Sequence, residues 1–138
     1  MINIKEIDHI AIAVKSIDAF ARLFESGLGL KLCGQEDIPD RHLRIGFIDL
    51  YNTKVELVEP TAEESAISRF LAVRGEGIHH ICLKVANIEQ AIAHLIDNGF
   101  EMIDKVPRTG ASGSRVAFVH PRSFGGVLIE LKEHNREE

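Results

Sequence analysis

The chain has 138 residues, 45% hydrophobic and 27% charged, with 21 acidic against 16 basic side chains and a formal charge of −5. It is long enough to bury a core without disulfides or a structural metal, so disorder, collagen-like repeats and small disulfide scaffolds are excluded. The acidity argues against nucleic-acid or anionic-membrane partners, which need clustered Lys and Arg. No stretch approaches the roughly 18 apolar residues of a membrane-spanning helix.

Met1 to Glu6 has neither an apolar signal core nor an Arg-rich transit pattern, so a cytoplasmic location is expected. Ile7-Asp8-His9-Ile10-Ala11-Ile12-Ala13-Val14 then alternates as a strand does. Ser16 is placed to cap a helix carrying Ile17, Phe20, Ala21 and Phe24 on one face and stopping at Gly27. Two β-rich runs follow, Leu43 to Leu50 and Lys54 to Val58, joined by Tyr51-Asn52-Thr53. Pro60 to Gly77, with Ile67, Phe70, Leu71 and Arg74 at helical spacing, reads as a helical linker.

The pattern then starts again. Ile78-His79-His80-Ile81-Cys82-Leu83-Lys84-Val85 matches the first strand, with His80 standing 71 residues after His9. Asn87 and Gln90 form a capping box for a helix with Ile88, Ala91, Ile92, Leu95 and Ile96 on one face, and Gly99 stops it. The later β-rich runs are Arg115 to His120 and Val127 to Lys132, and the charged tail from Lys132, including His134, is expected to fray. The reading is α+β: one domain of residues 1–138 made of two βαβββ modules, about 4–59 and 77–132, joined by the linker 60–76. A module of about 55 residues buries too little surface to stand alone. The two are expected to pack as a curved mixed sheet around a cleft. Cys33 and Cys82 lie in no C-x-x-C pair and read as reduced, small apolar residues.

Strand alternation selects the candidate site. Ile10, Ile12 and Val14 form one apolar row, which leaves His9, Ala11 and Ala13 opposite; Ile81, Leu83 and Val85 likewise leave His80, Cys82 and Lys84. Small residues beside each histidine are expected to leave room for a ligand. In the last strands Glu56 lies opposite Val55 and Leu57, and Glu130 opposite Val127, Ile129 and Leu131. A carboxylate in mid-strand is costly to bury unless it is paired or binds a cation. Each of these four residues alone reads as an ordinary hydrogen-bonded group. Recurring at equivalent positions of a repeat, they read as a His2Glu2 set for one divalent ion, such as Co, Ni, Mn, Fe or Zn. His79 falls on the helix-facing side and reads as structural.

His9-Ile-Ala-Ile-Ala-Val, Gly27-Leu28-Gly29-Leu30, Asn52-Thr-Lys-Val-Glu56-Leu, Gly77-Ile-His-His80-Ile, Gly113-Ser-Arg-Val-Ala-Phe-Val-His120-Pro and Gly125-Gly-Val-Leu-Ile-Glu130-Leu together resemble the vicinal oxygen chelate superfamily. This is the superfamily of glyoxalases, bleomycin resistance proteins and dioxygenases, and within it the motifs are most similar to methylmalonyl-CoA epimerases. The resemblance covers about Ile4 to Lys132. It implies metal ligands at His9, Glu56, His80 and Glu130, where some epimerases have Gln in place of Glu56. It also implies paired βαβββ modules in a homodimer, and an acyl-CoA substrate whose α-proton is removed to form a metal-stabilised enolate. By the same resemblance Glu130 is a catalytic base. Some relatives carry a further, non-ligand glutamate in the strand before the second ligand. Leu43 to Ile48 holds none, which leaves Glu56 as the other candidate base. The anions of CoA need cations and donors, and Lys84, Arg115 and His120 are candidates, with Arg108 and Arg122 near the Gly-rich stretch. The alternatives are a glyoxalase-type lyase, an extradiol dioxygenase, against which the fourth ligand argues, and a non-catalytic ligand-sequestering protein.

Overall fold

The computed structural model describes residues 2–133, so His134 and the rest of the expected frayed tail lie outside the described residues. The chain divides into two compact units, His9–His79 and Met1–Asp8 with His80–Glu138. The first contains the end of β1 (Ile4–Ala13), α1 (Ile17–Leu28), β2 (Gly34–Ile38), β3 (Leu43–Asp49), β4 (Lys54–Pro60) and α2 (Ala66–Arg74). Its strands run in the order β2-β3-β4-β1, with β1 parallel to β4 and the other pairs antiparallel. The second contains most of β5 (Gly77–Val85), then α3 (Ile88–Asp97), β6 (Arg108–Thr109), β7 (Arg115–Val119) and β8 (Ile129–Glu133). Here β5 is parallel to β8, and β7 is antiparallel to both β8 and β6. Each module is therefore βαβββ, and the class is α+β. Among the described residues no helix is long and apolar enough to cross a membrane.

Local chemistry explains the helix starts. Ser16 Oγ accepts from the Ala19 N–H at 3.2 Å and Asn87 Oδ1 from the Gln90 N–H at 2.9 Å, each satisfying a donor the helix cannot pair internally. Each start is also tied to the last strand of its own module. Glu59 Oε1 accepts from the Ile17 N–H at 2.8 Å, and Glu133 Oε2 from the Ile88 N–H at 3.1 Å. The stop expected at Gly27 is corrected: α1 runs through it to Leu28, and Gly29 takes the left-handed conformation, φ 71°. The last strand is corrected as well. β8 begins at Ile129, leaving Val127 exposed, and continues in order through Glu133.

Two clusters form where a helix covers the apolar strand rows. α1 rests on Ile12, Val14, Ile48, Val55 and Leu57, and α3 rests on Leu83, Val85, Ala117, Val119 and Leu131. Each Val, Leu or Ile side chain among these contributes about 1.5–3 kcal/mol when fully buried. β3 comes so close to α1 that a Cβ on Gly46 would lie 2.8 Å from Ile17 Cγ2 and 2.9 Å from Leu32 Cδ1, so any larger residue there would force these side chains to move. A third cluster overturns the expectation of open space beside His9. Ala11 and Ala13 are fully buried with Val58 and Ile67, and Leu43, Phe70 and Leu71 pack around them. The segment read as a linker is thus a covering element, and the alanines let α2 approach the sheet closely.

Candidate metal centre and active site

In the unit His9–His79 the parallel ladder sets Ala11 beside Glu56. His9 lies two residues before Ala11 and therefore on the same face, which brings its Nδ1 to 3.3 Å from Glu56 Oε2. In the other unit Cys82 is beside Glu130, and His80 Nε2 lies 2.9 Å from Glu130 Oε1. The same register in each module thus delivers the same pair. All four side chains are at least nine-tenths buried. Phe47 is the antiparallel neighbour of Glu56 and Phe118 that of Glu130; the Phe118 ring meets His80 edge-on, centroids 5.2 Å apart. His79 stacks edge-on against Phe70 of α2 at 4.9 Å, the structural role expected of it.

The donor chemistry fits a divalent cation. Imidazole nitrogens and carboxylate oxygens suit first-row divalent ions, and charged carboxylates held this deep require a positive partner. His9, His80 and Glu130 are candidate ligands on burial and donor type, and Glu56 is buried against His9 in the same way.

The residues considered for substrate anions already have partners. Lys84 Nζ lies 3.3 Å from Glu6 and 3.7 Å from Asp8, and its ladder neighbour Lys132 lies 3.1 Å from the same Asp8 oxygen. Arg115 pairs with Glu89 and with Glu133, the latter at 3.1 Å. These hydrogen bonds raise its guanidinium pKa, Glu89 contributing most, and Arg115 in turn holds Glu89 below its ordinary carboxylate value. Arg44, 71 residues earlier, is bound to Asp37 at 2.7 Å and Glu59 at 3.5 Å, and Asp37 raises its pKa. Each arginine therefore braces the glutamate that caps its module's helix. His120 caps the turn Pro121–Phe124, its Nδ1 accepting from the Arg122 N–H at 3.1 Å. Arg108 pairs with Asp104 at 3.3 Å and Arg122 with Glu101 at 3.7 Å. Cys82 is fully buried, whereas Cys33 is exposed, against the expectation of an apolar setting for both.

Two residues on the His9 face escaped the sequence analysis. Glu36, half-buried in β2, pairs across to Ile45, which pairs with Val58, so its side chain shares the face of Glu56. The segment Gly34-Gln-Glu-Asp-Ile38 has no alternation to mark it as a strand with an inward carboxylate. Lys54, also half-buried, is the direct parallel neighbour of His9, and its Nζ stands 5.6 Å above the Phe47 ring. Its position two residues before Glu56 on one strand was the available signal.

Comparison with known proteins gives a consistent picture. The family model of the Glyoxalase/Bleomycin resistance protein/Dioxygenase superfamily matches residues 8–118. The ethylmalonyl-CoA/methylmalonyl-CoA epimerase of Cereibacter sphaeroides is 39% identical over 132 residues, covering 94% of this chain and 98% of that protein. Among solved structures, a hypothetical protein of Bacillus halodurans is 45% identical with TM-score 0.92, covering 96% of each chain. A methylmalonyl-CoA epimerase in complex with methylmalonyl-CoA and NH4+ is 32% identical with TM-score 0.91, covering 99% of each chain.

Proposed function

This chain belongs to the glyoxalase/bleomycin resistance protein/dioxygenase superfamily, and on that premise we propose that it is a metal-dependent epimerase interconverting the two epimers of methylmalonyl-CoA. The observation that carries the reading is the duplicated buried His–Glu pair in a chain whose relatives include named epimerases of this substrate. In this reading His9, Glu56, His80 and Glu130 together hold one divalent ion, such as Co, Zn, Ni, Mn or Fe. An ion held there supplies Lewis acidity that offsets, by several kcal/mol, the negative charge developing on the thioester oxygen.

The residues of the chain supply the proton transfers. One Glu130 carboxylate oxygen accepts the α-proton as the C–H bond breaks, and the bonding electron pair moves into the thioester carbonyl. A proton returned to the opposite face of the same carbon restores the thioester and inverts the centre. Glu56 is one source of that proton. Glu36, a carboxylate on the same sheet face outside the His–Glu pairs, is the other. Phe118, edge-on to His80, restricts the imidazole's rotation. Lys84, Arg115 and His120 are assigned to the anions of CoA only as residues that exchange their present partners for phosphate. The reading also takes the protein as cytoplasmic, in keeping with two free thiols, and as a homodimer, which sedimentation equilibrium tests.

The test follows the α-proton of methylmalonyl-CoA in deuterated water with and without a chelator. Exchange and epimerisation that disappear on chelation and return with a divalent ion are expected. Absence of exchange in the metal-loaded protein overturns the reading, and turnover of methylglyoxal with a thiol in its place would make it a lyase.

A further inference from the structure

We propose that Lys54 recognises the free carboxylate of the substrate's acyl group and so decides which thioesters the site accepts; the proposal rests on the epimerase reading above. Lys54 lies beside His9 in the parallel ladder and two residues before Glu56, so its side chain leaves the sheet on the face that carries both. It is half-buried, and its ammonium is met by the ring of Phe47 at 5.6 Å and by no carboxylate among the described residues. The cross-strand neighbour Asp49 is exposed and forms no ion pair with it.

That condition separates Lys54 from four other cations of the described strands. Lys84 and Lys132 meet Asp8, Arg44 meets Asp37 and Glu59, and Arg115 meets Glu89 and Glu133. A partly desolvated ammonium facing only an aromatic quadrupole retains most of its capacity for an anion, because the ring supplies much less than a carboxylate does. The substrate presents one carboxylate, on the carbon that loses its proton, and that carbon must lie near the His–Glu groups. The repeat offers one such cation: the residue two before Glu130 is Leu128. A site built around an ionic group discriminates strongly against an analogue lacking it, since the protein's own charge is then left without a partner.

The test compares wild type, Lys54→Met and Lys54→Arg in binding two thioesters that share the CoA moiety, methylmalonyl-CoA and propionyl-CoA, which lacks the carboxylate. Lys54→Met keeps the alkyl stem over Phe47 and is expected to weaken methylmalonyl-CoA by about tenfold to a hundredfold. Propionyl-CoA affinity should stay unchanged, and Lys54→Arg should recover most of the loss. Equal weakening of both ligands, or none, overturns the assignment. Should Lys54→Met fail to fold, Lys54→Gln carries the same comparison. Wild-type α-proton exchange is read separately: its absence defeats the epimerase reading, whereas its presence with a Lys54→Met protein that still prefers methylmalonyl-CoA defeats only the role of Lys54.

Discussion

In the unit His9–His79 the ladder pair Ala13 and Val58 is covered by Ile67 of α2, whereas in the other unit the equivalent pair, Lys84 and Lys132, meets the carboxylate of Asp8. The neighbouring position is Ala11 in one module and Cys82 in the other, both fully buried. Below these covers the His–Glu pairs repeat, because they depend on strand register alone. One cover is apolar and takes its stability from surface removed from water. The other is ionic, and its stability depends on two ammonium groups sharing a carboxylate that is itself only 5% exposed. Register thus constrains the His–Glu pairs tightly, while two quite different chemistries cover the neighbouring positions.

Substitutions at matching positions can break or sharpen this contrast. The largest effect is expected for Glu130→Gln, which should lower epimerisation and α-proton exchange together by about 10²–10⁴-fold; full exchange in that variant, measured by proton NMR, would remove Glu130 from the base role. Next is Asp8→Asn, which leaves Lys84 and Lys132 without their shared anion. Urea unfolding should show a loss of about 3–5 kcal/mol, partly recovered at high salt. Gly46→Ala should cost about 1–3 kcal/mol through its clash with Ile17 and Leu32, although Ala117, at the equivalent place in the other module, is accommodated. A melting temperature unchanged in Gly46→Ala would show that Ile17 and Leu32 can move to admit the methyl group.

The smallest effect concerns acid stability. Glu89 is held below its ordinary value of 4.5 by the Arg115 hydrogen bond. Its contribution is therefore present above that value and is lost as the pH falls through the lowered folded-state pKa. Arg115→Met should flatten the fall of melting temperature below about pH 4.5, a small change because both groups are solvent-exposed.

The features legible in the sequence were those that depend on local or repeated geometry. Ser16 and Asn87 reach a backbone N–H three residues on, and this needs no knowledge of the rest of the chain. His9 with Glu56 and His80 with Glu130 are legible because each histidine and each glutamate recurs at the equivalent strand position of the repeat, and both modules pair those strands in the same register. What stayed hidden depended on tertiary packing. An alanine suits an empty pocket as well as a tightly docked helix, so Ala11 and Ala13 could not announce α2. Gly27 is the stop expected, but the helix ends where Gly29 turns left-handed and the Leu30 N–H returns to the Phe24 carbonyl, which only the packed chain decides. The ion pairs of Arg115 and of Arg44, at the same offset as the two histidines, likewise depend on tertiary contacts with Glu133 and Glu59 that the local sequence does not announce.

That brace is also common to the two modules. Arg44, Glu59 and the Ile17 amide in one module correspond to Arg115, Glu133 and the Ile88 amide in the other. The brace recurs in both modules, whereas the covers differ. Each module thus has its helix fixed to its sheet in the same way and carries one imidazole and one carboxylate. Beside those pairs the modules differ again: Lys54 stands two residues before Glu56, and Leu128 two before Glu130.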